Sequence, residues 1–188
     1  MEDHEAYRHD AAVYHSPEEF LAVAVPFVRD GLVAGEPVLV ALSPALTALV
    51  VAELPDEQAG LSVVPYDDLY RRPAGGVQEL QRLLASQTLP EAGRVRVLGA
   101  TPLPAASTSW QPWARFEAYL TDTLAAFPAW LLCLFDGQVA SPEVLDDVRR
   151  IDRGRRRPRR RDRVPGRWPG WGRRRGERLN PFRDLLRE

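Results

Sequence analysis

Polar residues that could bind a small molecule stand directly after short apolar segments of the chain. Their phenol, imidazole, hydroxyl and carboxylate groups offer several hydrogen-bond donors and acceptors, which suits a small polar or amphipathic ligand. These residues are Tyr14, His15, Ser43, Tyr66, Asp67, Asp68, Thr101 and Asp136.

The elements that would position these residues alternate between strands and helices. Near-continuous apolar strands are typical of a sheet that is buried on both faces. Strands that alternate with helices predict an α/β fold with a doubly wound, mostly parallel five-stranded sheet, whose ligands bind beyond the carboxyl ends of the strands. The predicted strands are 11–14, 37–42, 61–66, 94–99 and 129–135, and the predicted helices are 16–35, 43–54, 75–87, 110–127 and 141–150.

The first helix has clear start and stop signals. Ser16 is a good N-cap, Pro17 suits the first helical position, and Glu19 follows at the capping-box spacing. Gly35 predicts the end of the helix, and Pro26 predicts a bend inside it.

The motifs of several enzyme classes are absent from the sequence. The turn after the first strand reads HSPEE, without the glycines and lysine of a phosphate loop, and no GxGxxG or GxSxG motif occurs. All 25 basic residues are arginine, so no lysine is present to form a Schiff base. The sequence therefore favours binding over catalysis, and we expect no enzyme activity. A degenerate nucleotide hydrolase is the alternative from the enzyme class.

Each candidate also has a structural interpretation. Tyr14 and Tyr66 could be half-buried aromatic residues with a hydrated hydroxyl group, and Asp67 and Asp136 could simply begin turns. Cys133 lies within an apolar run and reads as a small buried hydrophobic residue.

Histidine and cysteine patterns predict neither a metal site nor a disulfide. The three histidines, His4, His9 and His15, lack paired cysteines and an HExxH spacing. One cysteine cannot form an internal disulfide, which favours a reducing compartment. The polar amino terminus is not a signal peptide, and no apolar run is long enough for a membrane span. We therefore expect a cytoplasmic protein without cofactor.

Charge divides the chain into two parts near residue 150. Residues 1–148 hold 8 Arg and 21 acidic residues, whereas 17 Arg and 5 acidic residues follow from Arg149 onward. The predicted organisation is one domain over 1–150 and a tail over 151–188 that is rich in Arg, Gly, Pro and Trp.

Three interpretations of the tail remain open. An arm with this charge and with interleaved Trp168 and Trp171 would bind nucleic acid non-specifically. Its composition also predicts a disordered, solvated segment. A shifted reading frame in a coding sequence rich in G and C is the third interpretation, under which an output domain has been lost.

The opening of the chain, HDAAVYHSPEEFLAVAVPFVRDGLVAGEPVLVAL, resembles the MEDS domain, the sensory domain of methanogen and methylotroph regulators of the DcmR type. The later segments RFEAYL and LLCLFD resemble the final helix and strand of that family, so that the resemblance covers about residues 8–150. The matching residues are His9, Tyr14, Glu19, Pro26, Phe27, Gly31, Leu32, Gly35, Glu36, Arg115, Glu117, Leu120, Cys133 and Asp136.

The resemblance implies a core similar to that of RecA and KaiC that has lost its phosphate loop, and a signal-input role. It implies that a small organic ligand is sensed and that the signal passes to a regulatory protein partner. Among the matching residues it points first to His9, then to Tyr14, Glu117 and Asp136, with Arg115 also matching. A protein-interaction module with an exposed apolar patch is the alternative.

Four departures from the family pattern stand out. Ala100 occupies a position where a Glu is frequent, Phe135 replaces a Tyr, and Thr121 replaces an Asn. The closing His-Pro pair of the family is absent, and the arginine-rich tail begins in its place.

Overall fold

A computed structural model of the chain describes residues 7–56, 60–87, 93–103 and 109–154. The predicted basic tail beyond residue 154 and His4 lie outside the described residues. Within the described part, five strands and six helices alternate along the chain. They are β1 (Arg8–Tyr14), α1 (Pro17–Val33), β2 (Val38–Ala41), α2 (Pro44–Ala52), β3 (Leu61–Val63), α3 (Tyr66–Tyr70), α4 (Pro73–Ser86), β4 (Val95–Ala100), α5 (Gln111–Leu124), β5 (Ala129–Asp136) and α6 (Pro142–Gly154).

The strands form one parallel sheet in the order β1-β5-β4-β2-β3, which confirms the predicted α/β fold. The two central strands β4 and β5 are buried along almost their whole length, as their apolar sequences predict. Within the residues that the structure describes, β1 pairs with β5 alone, and its Ala11 stands opposite Cys133. In the same way Gly99 of β4 stands opposite Cys133 on the other side of β5.

Helices cover both faces of the sheet, so the fold is doubly wound. The apolar residues of α1 and α2 pack on one face, together with Ala12, Leu98 and Leu132. The apolar residues of α3 to α6 pack on the other face, together with Ala11 and Leu131. Side chains alternate between the two faces along each strand, which places His9 on the face covered by α5 and Asp10 on the face covered by α1. In the described part of the chain, no helix combines the length and apolarity needed to cross a bilayer.

The predicted N-cap of α1 at Ser16 and its end at Gly35 are confirmed. Ser16 accepts a hydrogen bond from the backbone N–H of Glu19 at 3.2 Å. The Glu19 carboxylate bonds the backbone N–H of His15 at 2.6 Å, one residue earlier than a standard capping box would place it. Gly35 has a φ of 70° and ends the helix, while α1 is helical through Pro26 without interruption.

The structure corrects three predicted boundaries. β1 begins at Arg8 and not at residue 11. The prediction missed residues 8–10 because they are polar and the strand pattern was based on apolar residues. β3 ends at Val63, because Pro65 lacks an amide N–H for the sheet, and Tyr66 begins the short helix α3 that the sequence did not predict. α6 extends to Gly154, past the predicted boundary at residue 150.

A buried ion pair joins α1, β2 and β4 at the amino end of the sheet. Glu36 and Arg96 are only 5% and 4% exposed, and the Arg96 guanidinium donates to the Glu36 carboxylate. Arg94 donates to the other carboxylate oxygen of Glu36 at 2.5 Å, and Arg96 also donates to the backbone carbonyl of Phe27 at 2.7 Å. The Arg96 guanidinium lies 4.7 Å from the centroid of the Trp130 ring, so that β5 joins the same cluster.

We expect the Glu36→Gln variant to lose about 3–5 kcal/mol of unfolding free energy, because it leaves the guanidinium of Arg96 buried without its counter-charge. Urea unfolding of the purified chain measures this loss. Glu79→Gln is the control, since Glu79 pairs with Arg82 on the exposed side of α4 and its loss should leave stability nearly unchanged. Equal effects of the two substitutions would contradict the stabilising role of the Glu36–Arg96 pair.

Candidate functional site

A cluster of polar side chains lies beneath α5, on the face of the sheet that this helix covers. His9 of β1 is 4% exposed, and Glu117 of α5 is 2% exposed. The two are 3.3 Å apart between His9 Nε2 and Glu117 Oε2. His9 Nε2 is also 3.2 Å from the sulfur of Cys133. Three separate elements therefore bring an imidazole, a carboxylate and a thiol together in the interior.

Two threonines hold the imidazole and the carboxylate in place. The hydroxyl of Thr121, one helical turn after Glu117, is 3.2 Å from His9 Nδ1. Thr101, at the end of β4, donates its hydroxyl proton to Glu117 Oε1. The other oxygen, Glu117 Oε2, is buried without a hydrogen bond of good geometry, although the thiol of Cys133 lies beside it.

Burial raises the pKa of the Cys133 thiol well above its ordinary value, and the neighbouring Glu117 carboxylate raises it further. Burial likewise raises the pKa of Tyr70 well above its ordinary value, with smaller contributions from Cys133 and Glu117. The phenol of Tyr70 passes close to Gly99, because a methyl group on that glycine would stand 2.7 Å from the hydroxyl oxygen. Tyr70 therefore forms part of the wall of this cluster.

The donor atoms of His9, Glu117 and Cys133 all lie within 4.8 Å of one another. Imidazole nitrogen, carboxylate oxygen and thiolate sulfur are the three side-chain donors that zinc sites use. The cluster is thus the group of residues in the described chain that could hold a metal ion.

A second group of polar residues lies at the carboxyl end of the sheet. Tyr14 and Asp136 end β1 and β5 and stand opposite each other in the register. Burial raises the pKa of Tyr14 from 10.0 to about 12, and the charges of Asp136 and Tyr66 contribute to this shift. The phenol of Tyr14, the carboxylate of Asp136 and the phenol of Tyr66 therefore lie within electrostatic reach of one another.

Aromatic rings connect this edge group to the interior cluster. The ring centroids of Tyr66 and Tyr70 are 4.8 Å apart, and Tyr70 continues to Trp113 and Phe116 at 6.1 Å each. Tyr14 packs edge-on against Phe20 at 5.2 Å on the other face. The carboxyl edge thus combines apolar ring surface with a few polar groups, as small-molecule sites do.

The predicted site residues separate into three sets. His9, Thr101 and Glu117 meet in the interior cluster, whereas Tyr14, Tyr66 and Asp136 stand at the carboxyl edge. His15 also lies at this edge, where its ring packs against Gly137 and its carbonyl accepts a hydrogen bond from Gln138. Arg115, on the outer side of α5, is exposed and lies apart from both groups, whereas Asp67, exposed in the first turn of α3, adjoins Tyr66 and adds to the effect of burial in raising the pKa of its phenol.

Sequence reasoning did not place Cys133, Tyr70 or Thr121 in a site. Cys133 is buried, as predicted, but its sulfur faces His9 and Glu117 and not only apolar neighbours. Thr121 could have been found from its spacing of four residues after Glu117, which puts both on one side of a helix. No local pattern marked Tyr70.

Comparison with protein families matches residues 8–152 to MEDS, the MEthanogen/methylotroph, DcmR Sensory domain. The chain belongs to the MEDS family. This confirms the resemblance drawn from the opening segment, and a sensory domain is consistent with a signal-input role. The search among curated proteins finds no match.

The MEDS-like opening motif has a structural explanation in this chain. A methyl group on Gly31 would stand 2.7 Å from the Arg96 side chain, so glycine leaves room for the buried guanidinium. Phe27 faces Trp130 edge-on at 5.2 Å, and Glu36 is the partner of Arg96. Phe27, Gly31 and Glu36 therefore build the ion-pair cluster at the amino end of the sheet, away from the carboxyl edge.

Tyr14 should make the stability of the domain depend on alkaline pH. The Tyr14 phenol has a pKa of about 12 in the folded domain but of about 10 in the unfolded chain. The contribution of the protonated phenol to the free energy of unfolding is therefore complete below about pH 10 and is lost as the pH rises towards about 12. We expect the stability advantage of wild type over Tyr14→Phe to shrink between about pH 9 and about pH 11.5 in urea unfolding. Parallel pH profiles for the two proteins would contradict this assignment.

Proposed function

We propose that this MEDS domain senses a small amphipathic organic molecule at the carboxyl edge of its sheet and passes the signal to a regulatory protein partner. The observation that carries the proposal is the pairing of Tyr14 and Asp136 at the ends of β1 and β5, with Tyr66 at the start of α3 within electrostatic reach of Tyr14. Membership of a sensory family supports the input role.

The chemistry of the edge indicates which ligands fit it. The phenols of Tyr14 and Tyr66 can donate and accept hydrogen bonds, and the half-buried ring of Tyr66, which packs on Tyr70, offers an apolar surface. The carboxylate of Asp136 favours a hydroxyl or an ammonium group and repels another carboxylate. A short alcohol or amine is therefore the class of ligand we propose, acting within a transcription or signal-transduction regulator.

We further propose that the domain has no catalytic activity of its own. The first turn of α1 carries Glu18 and Glu19, which repel the phosphates that a phosphate loop would hold there. The buried thiol of Cys133 has a raised pKa, which disfavours the thiolate form that a nucleophile needs.

Matched three-carbon probes test the ligand class. We expect propanol and propylamine to shift the backbone amide NMR signals of Tyr14, Tyr66 and Asp136, whereas propionate at the same concentration leaves them in place because of the Asp136 charge. Shifts at none of these three amides with any probe, or equal shifts with propionate, would overturn the proposal.

Asp136→Asn is the matched variant for this experiment. Its side-chain oxygen can still accept the hydrogen bond that Asp136 receives from the Gln138 amide at 2.9 Å, so the turn is preserved. Removal of one charge near the ligand should weaken propylamine binding about five-fold, which corresponds to about 1 kcal/mol for two charges in water, and should change propanol binding little. An unchanged preference for propylamine would exclude Asp136 from the site.

Nucleotide binding is the outcome that would support the alternative function. We expect ATP with magnesium neither to bind nor to be hydrolysed, since Glu18 and Glu19 occupy the amino end of α1. Phosphate release by the purified chain, measured against buffer without protein, would contradict this expectation.

A further inference from the structure

We propose that His9, Glu117 and Cys133 bind a divalent transition-metal ion, and that zinc is the ion that best fits these donors. The proposal is independent of the organic ligand, because Tyr14, Asp136 and the other edge residues take no part in it. It assigns a site to the interior cluster, where the local sequence spacing gave no indication of one.

Two of the three distances between the donor atoms are close to those of a tetrahedral zinc site. With zinc bonds of about 2.0–2.1 Å to nitrogen and oxygen and about 2.3 Å to sulfur, the nitrogen–oxygen edge is about 3.4 Å and the nitrogen–sulfur edge about 3.6 Å. His9 Nε2 lies 3.3 Å from Glu117 Oε2 and 3.2 Å from Cys133 Sγ. The third distance, between the Glu117 carboxylate and the Cys133 sulfur, is within 4.8 Å, so a modest side-chain movement would accommodate the ion.

The polar atoms of the cluster are incomplete without a cation. Glu117 Oε2 is buried and receives no hydrogen bond of good geometry, which is costly for a carboxylate oxygen. Among the described residues, the ion pair of Glu117 is with His9 alone, and no arginine reaches it. A metal ion would bind this oxygen directly and give the buried carboxylate a positive partner while His9 stays neutral.

Zinc would also balance the charge of the interior. On binding, the Cys133 S–H bond breaks, a Zn–S bond forms and the proton leaves to solvent. One thiolate and one carboxylate then neutralise the two positive charges of the ion, while His9 binds as a neutral imidazole. The completed site carries no net charge, as its burial requires.

The supporting contacts are those of a metal site. When His9 Nδ1 carries the proton, it donates to Thr121 and directs the Nε2 lone pair towards Glu117 and Cys133. Thr101 orients the carboxylate in the same manner through Oε1. Outer contacts of this type fix the orientation of metal ligands.

Three protein ligands leave one position of a tetrahedral ion open. Zinc sites of this composition take water or a small exogenous ligand there. Thr121 is exposed although it bonds His9, so the cluster lies close below the surface beside α5. An ion can therefore enter by a local movement of this helix.

Cobalt substitution tests the site directly, since Co²⁺ bound to a thiolate gives a near-ultraviolet charge-transfer band. The chain has one cysteine, so such a band can come only from Cys133. We expect one Co²⁺ per full-length chain with this band, and its displacement by Zn²⁺. The titration should be done on the native protein and again during refolding from urea. The second condition detects binding even if Co²⁺ enters the buried site of the folded protein only slowly.

Thr121→Val supplies a variant that leaves all three ligands in place. Loss of an outer contact typically weakens metal affinity 10- to 100-fold, so we expect a loss of about that size with the thiolate band retained. Thr123→Val makes the same chemical change on the same helix, away from His9, and should bind Co²⁺ like wild type. Equal affinity of the two variants would exclude Thr121 from the site.

Glu117→Gln and Cys133→Ala remove ligands. We expect the first to weaken Co²⁺ binding at least 100-fold and the second to abolish the band. Absence of the band in wild type under both conditions overturns the proposal. Binding of Co²⁺ without the band also overturns it, because this outcome assigns the ion to a site without Cys133. The propanol and propylamine titrations of metal-free protein test the organic site separately, so one proposal can fail without the other.

Discussion

The buried pair of Glu36 and Arg96 is the constraint on which the rest of the structure depends. Glu36 stands between α1 and β2, and Arg96 belongs to β4, so the pair fixes the helix and two strands relative to one another. Arg96 also bonds the Phe27 carbonyl and lies over Trp130 of β5. Because an unpaired charge at this depth is costly, alternative alignments of these elements are strongly disfavoured. Thr101, directly after β4, and Cys133, in the middle of β5, are positioned by the same alignment.

Local signals in the sequence predicted most of the fold. The three Ser-Pro pairs begin α1, α2 and α6, and each serine accepts a capping hydrogen bond from the helix backbone. The apolar runs of β4 and β5 predicted central strands. The apolar pattern failed where polar residues lie within an element, because Arg8 and Asp10 concealed the first half of β1. The helix α3 was missed because the Tyr-rich segment after Pro65 has no strong helical pattern.

The candidate sites depend on contacts between residues that are far apart in sequence. Parallel strand ends predicted the edge group, because Tyr14 and Asp136 meet wherever β1 and β5 are neighbours. The strand order was not available from the sequence, and it alone brings His9 beside Cys133. A search for closely spaced ligands could not find this group, since its members lie on β1, α5 and β5. Glu117 and His9 entered the prediction only through the family resemblance.

The last described helix has an unusual place in this architecture. α6 packs on β1, the strand that carries His9. Its Asp147 accepts a hydrogen bond from Trp110 at 2.9 Å, and its Glu143 accepts one from Gln111 at the start of α5, the helix that carries Glu117. α6 therefore contacts both β1 and the start of α5, the two elements that carry His9 and Glu117. The chain continues from the carboxyl end of α6 into residues 155–188. Because α6 contacts both elements, a change in the spacing between β1 and α5 would have to be accommodated by α6.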